Sequence, residues 1–187
     1  MQSNSVITRS NQNEFQVMHT YALAGIYNAT ITVEDKDGGI GIDGAGNTVT
    51  IVYNKSGILQ PINLTTPRSS FKIGSTIPVK IRVTNCDGAS IGGLSIQVNL
   101  QKLDSYADPT NEIIEVSVPD VGNTMRYDSG GQQYIYNLST KRSQMCPTNP
   151  SICTTAGDLT AGTYRITLTS TNLLFGLPAT ATFDAKS

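Results

Sequence analysis

Two stretches of this 187-residue chain carry one text. Ala24-Gly25-Ile26-Tyr27-Asn28-Ala29-Thr30-Ile31-Thr32 and Ala161-Gly162-Thr163-Tyr164-Arg165-Ile166-Thr167-Leu168-Thr169 both read A-G-x-Y-x-x-T-x-T. In each copy a glycine precedes a segment whose alternate residues from the tyrosine onward are apolar: Tyr27, Ala29, Ile31 and Val33, then Tyr164, Ile166 and Leu168. The intervening positions are Asn28, Thr30 and Thr32, or Arg165, Thr167 and Thr169. That is the period of a half-buried β-strand with a polar outer face. A tyrosine opening such a strand buries its ring and leaves its hydroxyl to bond nearby backbone. The expectation is two β modules of one kind.

Length and charge fit this reading. A chain of this size buries roughly two thirds of its extended surface, as one large or two small domains, and the internal echo favours two. The 13 Lys and Arg balance 14 Asp and Glu to a formal charge of −1. No basic field exists to attract phosphates, so nucleic acid is excluded as a partner. Trp is absent, while Thr, Ser, Asn and Gly are abundant, which suits short strands joined by many turns. No stretch approaches the roughly 18 apolar residues of a membrane span. The opening Met1-Gln2-Ser3-Asn4-Ser5 has neither the basic start nor the apolar run of a secretory signal. The chain is therefore cytosolic or a piece of a longer exported chain, and the cysteines favour the second.

Of the three cysteines, Cys146 and Cys153 bracket the polar run Pro147-Thr148-Asn149-Pro150-Ser151-Ile152. A disulfide between them would staple that loop and contribute about 2 kcal/mol through the unfolded state. Two free thiols are the alternative. Cys86 is left over, free or linked to another chain. A zinc site would need more ligands than these cysteines and the single histidine, His19, supply.

Along the chain, residues 15–19, 25–34 and 48–53 read as strands, with a long glycine-rich turn over 34–47. A two-sheet β-sandwich module needs about seven strands, so the first module lacks its opening half. Residues 57–66 read as a crossing in which Ile58, Leu59, Ile62 and Leu64 can pack, and the boundary is placed between modules 1–55 and 56–187. The second module opens with Ile77, Val79, Ile81 and Val83 alternating with Pro78, Lys80, Arg82 and Thr84. Pro78 removes a ladder donor, so this strand is expected at an edge, or paired only beyond that residue. Leu94, Ile96, Val98 and Leu100 alternate as cleanly. Ile114, Val116 and Val118 follow. Residues 124–127, the turn Asp128-Ser129-Gly130-Gly131 and residues 132–138 form a strong hairpin signal. Segments 164–169 and 180–184 close the count, and residues 141–158 read as an insertion.

His19-Thr20-Tyr21-Ala22, Ala24-Gly25-Ile26-Tyr27 and Thr32-Val33-Glu34-Asp35-Lys36-Asp37-Gly38-Gly39 resemble the closing strands of a PKD domain over residues 14–53. The family's earlier strands and its W-D-F-G-D-G segment are missing. From about residue 57 to 186 the chain resembles the PxKF-type domain of secreted bacterial proteins. That likeness rests on Phe71-Lys72-Ile73-Gly74-Ser75-Thr76-Ile77-Pro78-Val79-Lys80-Ile81, with Gly57-Ile58-Leu59-Gln60-Pro61-Ile62-Asn63 before it and Arg126-Tyr127-Asp128 after it. These resemblances imply an all-β fold of tandem immunoglobulin-like antiparallel β-sandwiches, the first incomplete, in which Tyr27 and Tyr164 would be tyrosine corners. They also imply non-catalytic modules of an extracellular or cell-surface protein.

Chemistry-bearing clusters are few. Glu34, Asp35, Asp37 and Asp43, with Asn47, gather oxygens in one glycine-rich turn and are the candidate calcium ligands. The EF-hand spacing is not met, and Asp and Gly are also ordinary hairpin residues. No other cofactor is indicated. No nucleophile motif, metalloprotease helix or phosphate loop occurs, and His19 reads as a turn-end residue. The pairs Asp104 with Asp108 and Glu112 with Glu115 read as solvated loop charges rather than a glycosidase pair. Tyr134 and Tyr136 read as core. Lys72, Lys80 and Arg82 either bind a partner or guard a strand edge. The expected function is a structural module that assembles with protein partners, other copies included, through exposed strand edges. A glycan- or protein-binding module using Tyr106 and the cysteine loop is the alternative.

Overall fold

The computed structural model describes residues 6–11, 14–43, 47–103, 109–116, 123–141, 143–147 and 159–187. The fold is all-β. Among the described residues there are sixteen strands and no α-helix, only one turn of 3-10 helix at Leu173–Phe175.

Most of the strands serve two sheets around one core. The four-stranded sheet runs, in spatial order, β12 (Arg126–Asp128), β13 (Gln133–Ser139), β9 (Thr76–Thr84) and β7 (Asn54–Ile58), all antiparallel. The six-stranded sheet runs β14 (Ser143–Pro147), β11 (Pro109–Val116), β10 (Ile96–Leu103), β15 (Gly162–Ser170), β16 (Ala179–Lys186) and β8 (Ser69–Lys72). Only the β16–β8 pair in it is parallel. Alternation decides which residues face inward. Ile77, Val79, Ile81 and Val83 of β9 and Tyr134, Tyr136 and Leu138 of β13 are buried against Ile96, Val98 and Leu100 of β10 and Tyr164, Ile166 and Leu168 of β15. Each aliphatic side chain so buried contributes about 1.5–3 kcal/mol. Both sheets supply one continuous cluster, giving a β-sandwich-like body. Phe183 of β16 stacks on Tyr164 at 5.6 Å and meets Phe71 edge-on at 5.7 Å.

Three elements differ from the sequence reading. β9 is an interior strand, and Pro78 lies within its pairing, opposite Asn137. The proline is tolerated because β7 ends at Ile58, opposite Ile81, so β9 has a strand on only one side at Pro78. The predicted insertion contains β14, which pairs with β11 at the edge of the larger sheet. The predicted boundary between residues 55 and 56 falls inside β7, so Asn54 and Lys55 belong to the four-stranded sheet.

The remaining strands form separate two-stranded ribbons. β1 (Val6–Asn11) pairs with β2 (Glu14–Met18). β3 (Gly25–Asn28) pairs with β6 (Thr48–Ile51), and β4 (Ile31–Glu34) with β5 (Ile40–Asp43). Within the long turn expected over 34–47, Ile40–Asp43 form a strand. The turn itself is Asp35–Gly39, where the Asp35 carboxylate accepts the N–H groups of Asp37 and Gly39 at 2.9 and 2.7 Å.

Candidate assembly surface

β3, β4, β5 and β6 make one long hairpin whose register slips between Asn28 and Ile31. Its near end is anchored. Tyr53 N–H donates to the Leu174 carbonyl at 2.7 Å, Asp87 N–H to the Ala22 carbonyl at 3.0 Å, and Ala24 N–H to Asn85 Oδ1 at 3.3 Å. Tyr53 packs against the sandwich core. Lys55 holds the neighbouring loop: its ammonium donates to the Phe175 carbonyl at 2.6 Å and to the Leu177 carbonyl, and lies 4.3 Å from the Phe175 ring centroid. Burial lowers the Lys55 pKa from its ordinary value.

Both A-G-x-Y copies make the same tyrosine hydrogen bond. Tyr27 Oη donates to the Leu23 carbonyl at 2.8 Å, and Tyr164 Oη to the Thr160 carbonyl at 2.8 Å, each four residues back. A glycine stands two residues before the tyrosine in each copy. A Cβ on Gly25 would sit 3.1 Å from the Tyr27 ring, and Gly162 adopts a φ of 153°. In both copies the tyrosine strand pairs antiparallel with a later strand, β3 with β6 and β15 with β16.

The copies differ in what surrounds them. β15 is flanked on its other side by β10, with Lys102 opposite Tyr164, and β16 is flanked by β8. Among the described residues neither β3 nor β6 has a second neighbour. The apolar residues that alternation directs to the two faces of the hairpin consequently stay in water. Ile31 and Val33 are 39% and 48% exposed, Ile40 and Ile42 65% and 70%, and Ile26 is also exposed. Tyr164 is 1% exposed, whereas Tyr27 is only partly covered, by Tyr21 at 4.5 Å between ring centroids. His19 meets Tyr21 edge-on at 4.3 Å.

The candidate calcium ligands are not gathered. Glu34 lies opposite Ile40 beside the turn, whereas Asp43 lies opposite Ile31, three pairs further along the ribbon. Asp35 is occupied by backbone N–H groups, and Asp37 pairs with Lys36 at the exposed tip. Among the described residues no three His, Cys, Asp or Glu side chains group as a metal site requires. Cys146 lies in β14 opposite Ile113, and Cys153 lies outside the described residues, as do Asp104, Tyr106 and Asp108. Glu112 and Glu115 are three residues apart in β11. Cys86 is exposed and free in the turn after β9. Lys80 and Arg82 point outward from β9, and Lys72 is exposed at the end of β8.

Sequence reasoning missed two polar anchors. Tyr134 Oη donates to the Ile91 carbonyl and accepts from Leu94 N–H, both at 2.9 Å, and burial raises its pKa. Arg68 bonds Asp184 at 2.8 Å and Thr163 at 3.0 Å, tying the crossing segment to the edge of the larger sheet. Neither has a sequence signal, because the partners are 40 or more residues away. No helix among the described residues is long and apolar enough to cross a membrane. No protein-family model, curated protein or solved structure matches the chain.

Proposed function

We propose that the chain is a non-catalytic structural and assembly module of an extracellular or cell-surface protein, and part of a longer exported chain. In this reading it consists of tandem immunoglobulin-like sandwiches. The first is the PKD-like hairpin and its neighbours, incomplete in itself, and the second is the PxKF-type body. One observation carries the assembly role. The hairpin strands leave Ile26, Ile31, Val33, Ile40 and Ile42 exposed on both faces, while the described inward-facing residues of β9, β10, β13 and β15 are buried. Apolar strand residues beside unpaired backbone edges are the substrate of β-augmentation, in which main-chain bonds supply affinity and alternate side chains supply fit.

Light scattering on a sizing column tests this across a range of concentrations. The assembly role predicts mass above 20.0 kDa that grows with concentration. A monomer at every concentration, with the hairpin protected from proteolysis, would remove it.

A further inference from the structure

We infer that the loop between β15 and β16 is a lipid-docking element, which enters the surface of a bilayer through Leu173 and Leu177. This contact is separate from the hairpin and stands whether or not the hairpin assembles. Of the large apolar side chains that the described residues leave in water, these two are the most exposed, at 76% and 85%. Between them Phe175 is fully buried and fixes the turn of 3-10 helix to the sandwich core. Gly176, at a φ of 67°, ends that turn, and a Cβ on it would sit 3.3 Å from Val52, which is itself exposed. Residues 166–183 contain no charged side chain. The loop is thus an uncharged apolar projection, and apolar surface of this kind marks a site of contact with protein or membrane.

The hydrogen bonding of the loop selects between these two. The carbonyls of Asn172, Leu173 and Leu174 accept from the N–H groups of Phe175, Gly176 and Tyr53. Those of Phe175 and Leu177 accept from the Lys55 ammonium. The N–H groups of Asn172 and Leu174 donate to Ser170 Oγ and Asn172 Oδ1, and the Ser170 hydroxyl donates to the Ser95 carbonyl. Backbone that leaves water for lipid must have its polar groups bonded within the protein, and these groups already are.

The same bonds take away what a protein partner would read. Protein interfaces carry about one hydrogen bond per 100–200 Å². Here the carbonyls that β-augmentation would use, together with Asn172 Oδ1 and Ser170 Oγ, are turned inward on the molecule itself. A lipid surface asks for apolar area and for no specific bond. The loop is also fixed before contact, so little chain has to be ordered when the leucines are buried. With no cation in residues 166–183, the headgroup charge of the lipid should matter little.

Cosedimentation of the full chain with phosphatidylcholine vesicles, at low and high salt, is the experiment. The expected result is partitioning onto the vesicles that salt changes less than twofold. It should fall at least tenfold when Leu173→Ser and Leu177→Ser are combined, and less than twofold in Leu64→Ser, an exposed leucine of the crossing segment. Circular dichroism checks that each variant is folded. The chain has no Trp, so Leu177→Trp gives a second reading that keeps the loop apolar and decides the matter if the serines disturb it. Its emission should shift to the blue on adding vesicles and be quenched by lipids brominated in their acyl chains. No partitioning, partitioning that survives in the folded double variant, or an emission that vesicles leave unmoved would each overturn lipid docking. So would binding confined to vesicles containing phosphatidylserine and abolished by salt. Self-association lost only in the leucine double variant, with no vesicle binding, would overturn it in favour of a protein contact and leave the hairpin's assembly role untouched.

Discussion

Tyr164 donates its hydroxyl proton to the carbonyl oxygen of Thr160 across 2.8 Å, closing a ring of chain just before β15 enters the core. Tyr27 makes the same bond to Leu23, but in a far more exposed setting. A hydrogen bond contributes about 0.5–1.5 kcal/mol net, and more is lost when a buried partner is left unpaired. Tyr164→Phe should therefore lower stability by about 1–2 kcal/mol, seen as a lower urea midpoint at unchanged slope. Tyr27→Phe should cost well under ~1 kcal/mol because water replaces the hydroxyl. Equal losses at the two sites would refute the difference in burial as the cause.

Lys55 bridges β7 to the loop after β15 through two carbonyls and the Phe175 ring. Lys55→Met keeps the aliphatic stem and removes the charge. The expected cost is about 1–2 kcal/mol, from the lost charge-assisted bonds and cation–π contact less the relieved desolvation of the ammonium. Hydrogen exchange should accelerate at the amides of residues 172–177 and leave β9 and β13 unchanged. Uniform acceleration across the sandwich would show that the lysine supports the whole body instead.

Alkaline pH should weaken the fold through Tyr134. Its pKa is raised above the ordinary 10.0, chiefly by burial. Above pH 10 the unfolded chain releases this proton while the folded chain still holds it, so stability falls as pH rises. The contribution is complete below pH 10.0 and is lost as pH climbs through the raised folded value. Urea midpoints between pH 8 and 11 should show this fall, with a shallower slope in Tyr134→Phe. Identical slopes would place the alkaline sensitivity elsewhere.

On the hairpin, association and stability should separate. Ile31→Thr and Val33→Thr keep β-branching and remove apolar area that already lies in water, so each should change monomer stability by less than about 0.5 kcal/mol. Association measured by light scattering should weaken in the double variant. A large loss of monomer stability would mean that these residues are covered in the single chain.

Asp35 organises the hairpin tip by accepting two backbone N–H groups. Asp35→Ala should increase protease cleavage between residues 34 and 40, and millimolar calcium should leave the wild-type urea midpoint where it was. A calcium-dependent rise abolished in Asp35→Ala would restore the candidate calcium site.

The all-β character, the inward faces of β9, β10 and β15, and the kinship of Tyr27 with Tyr164 were all legible in the sequence, because each rests on local alternation or a repeated motif. Side-chain period and turn chemistry act over two to five residues, and a linear text records them. β5 and β14 escaped because a glycine-rich stretch and a cysteine-bearing insertion resemble loops until a partner strand supplies their bonds. The direction of β8, the tolerance of Pro78 within β9 and the two bonds of the Tyr134 hydroxyl depend on residues tens of positions away. The same holds for the contrast between the two copied motifs. Their texts predict the same strand, but burial belongs to what stands opposite it, and only the tertiary structure shows β10 beside Tyr164 and, among the described residues, no second strand beside Tyr27.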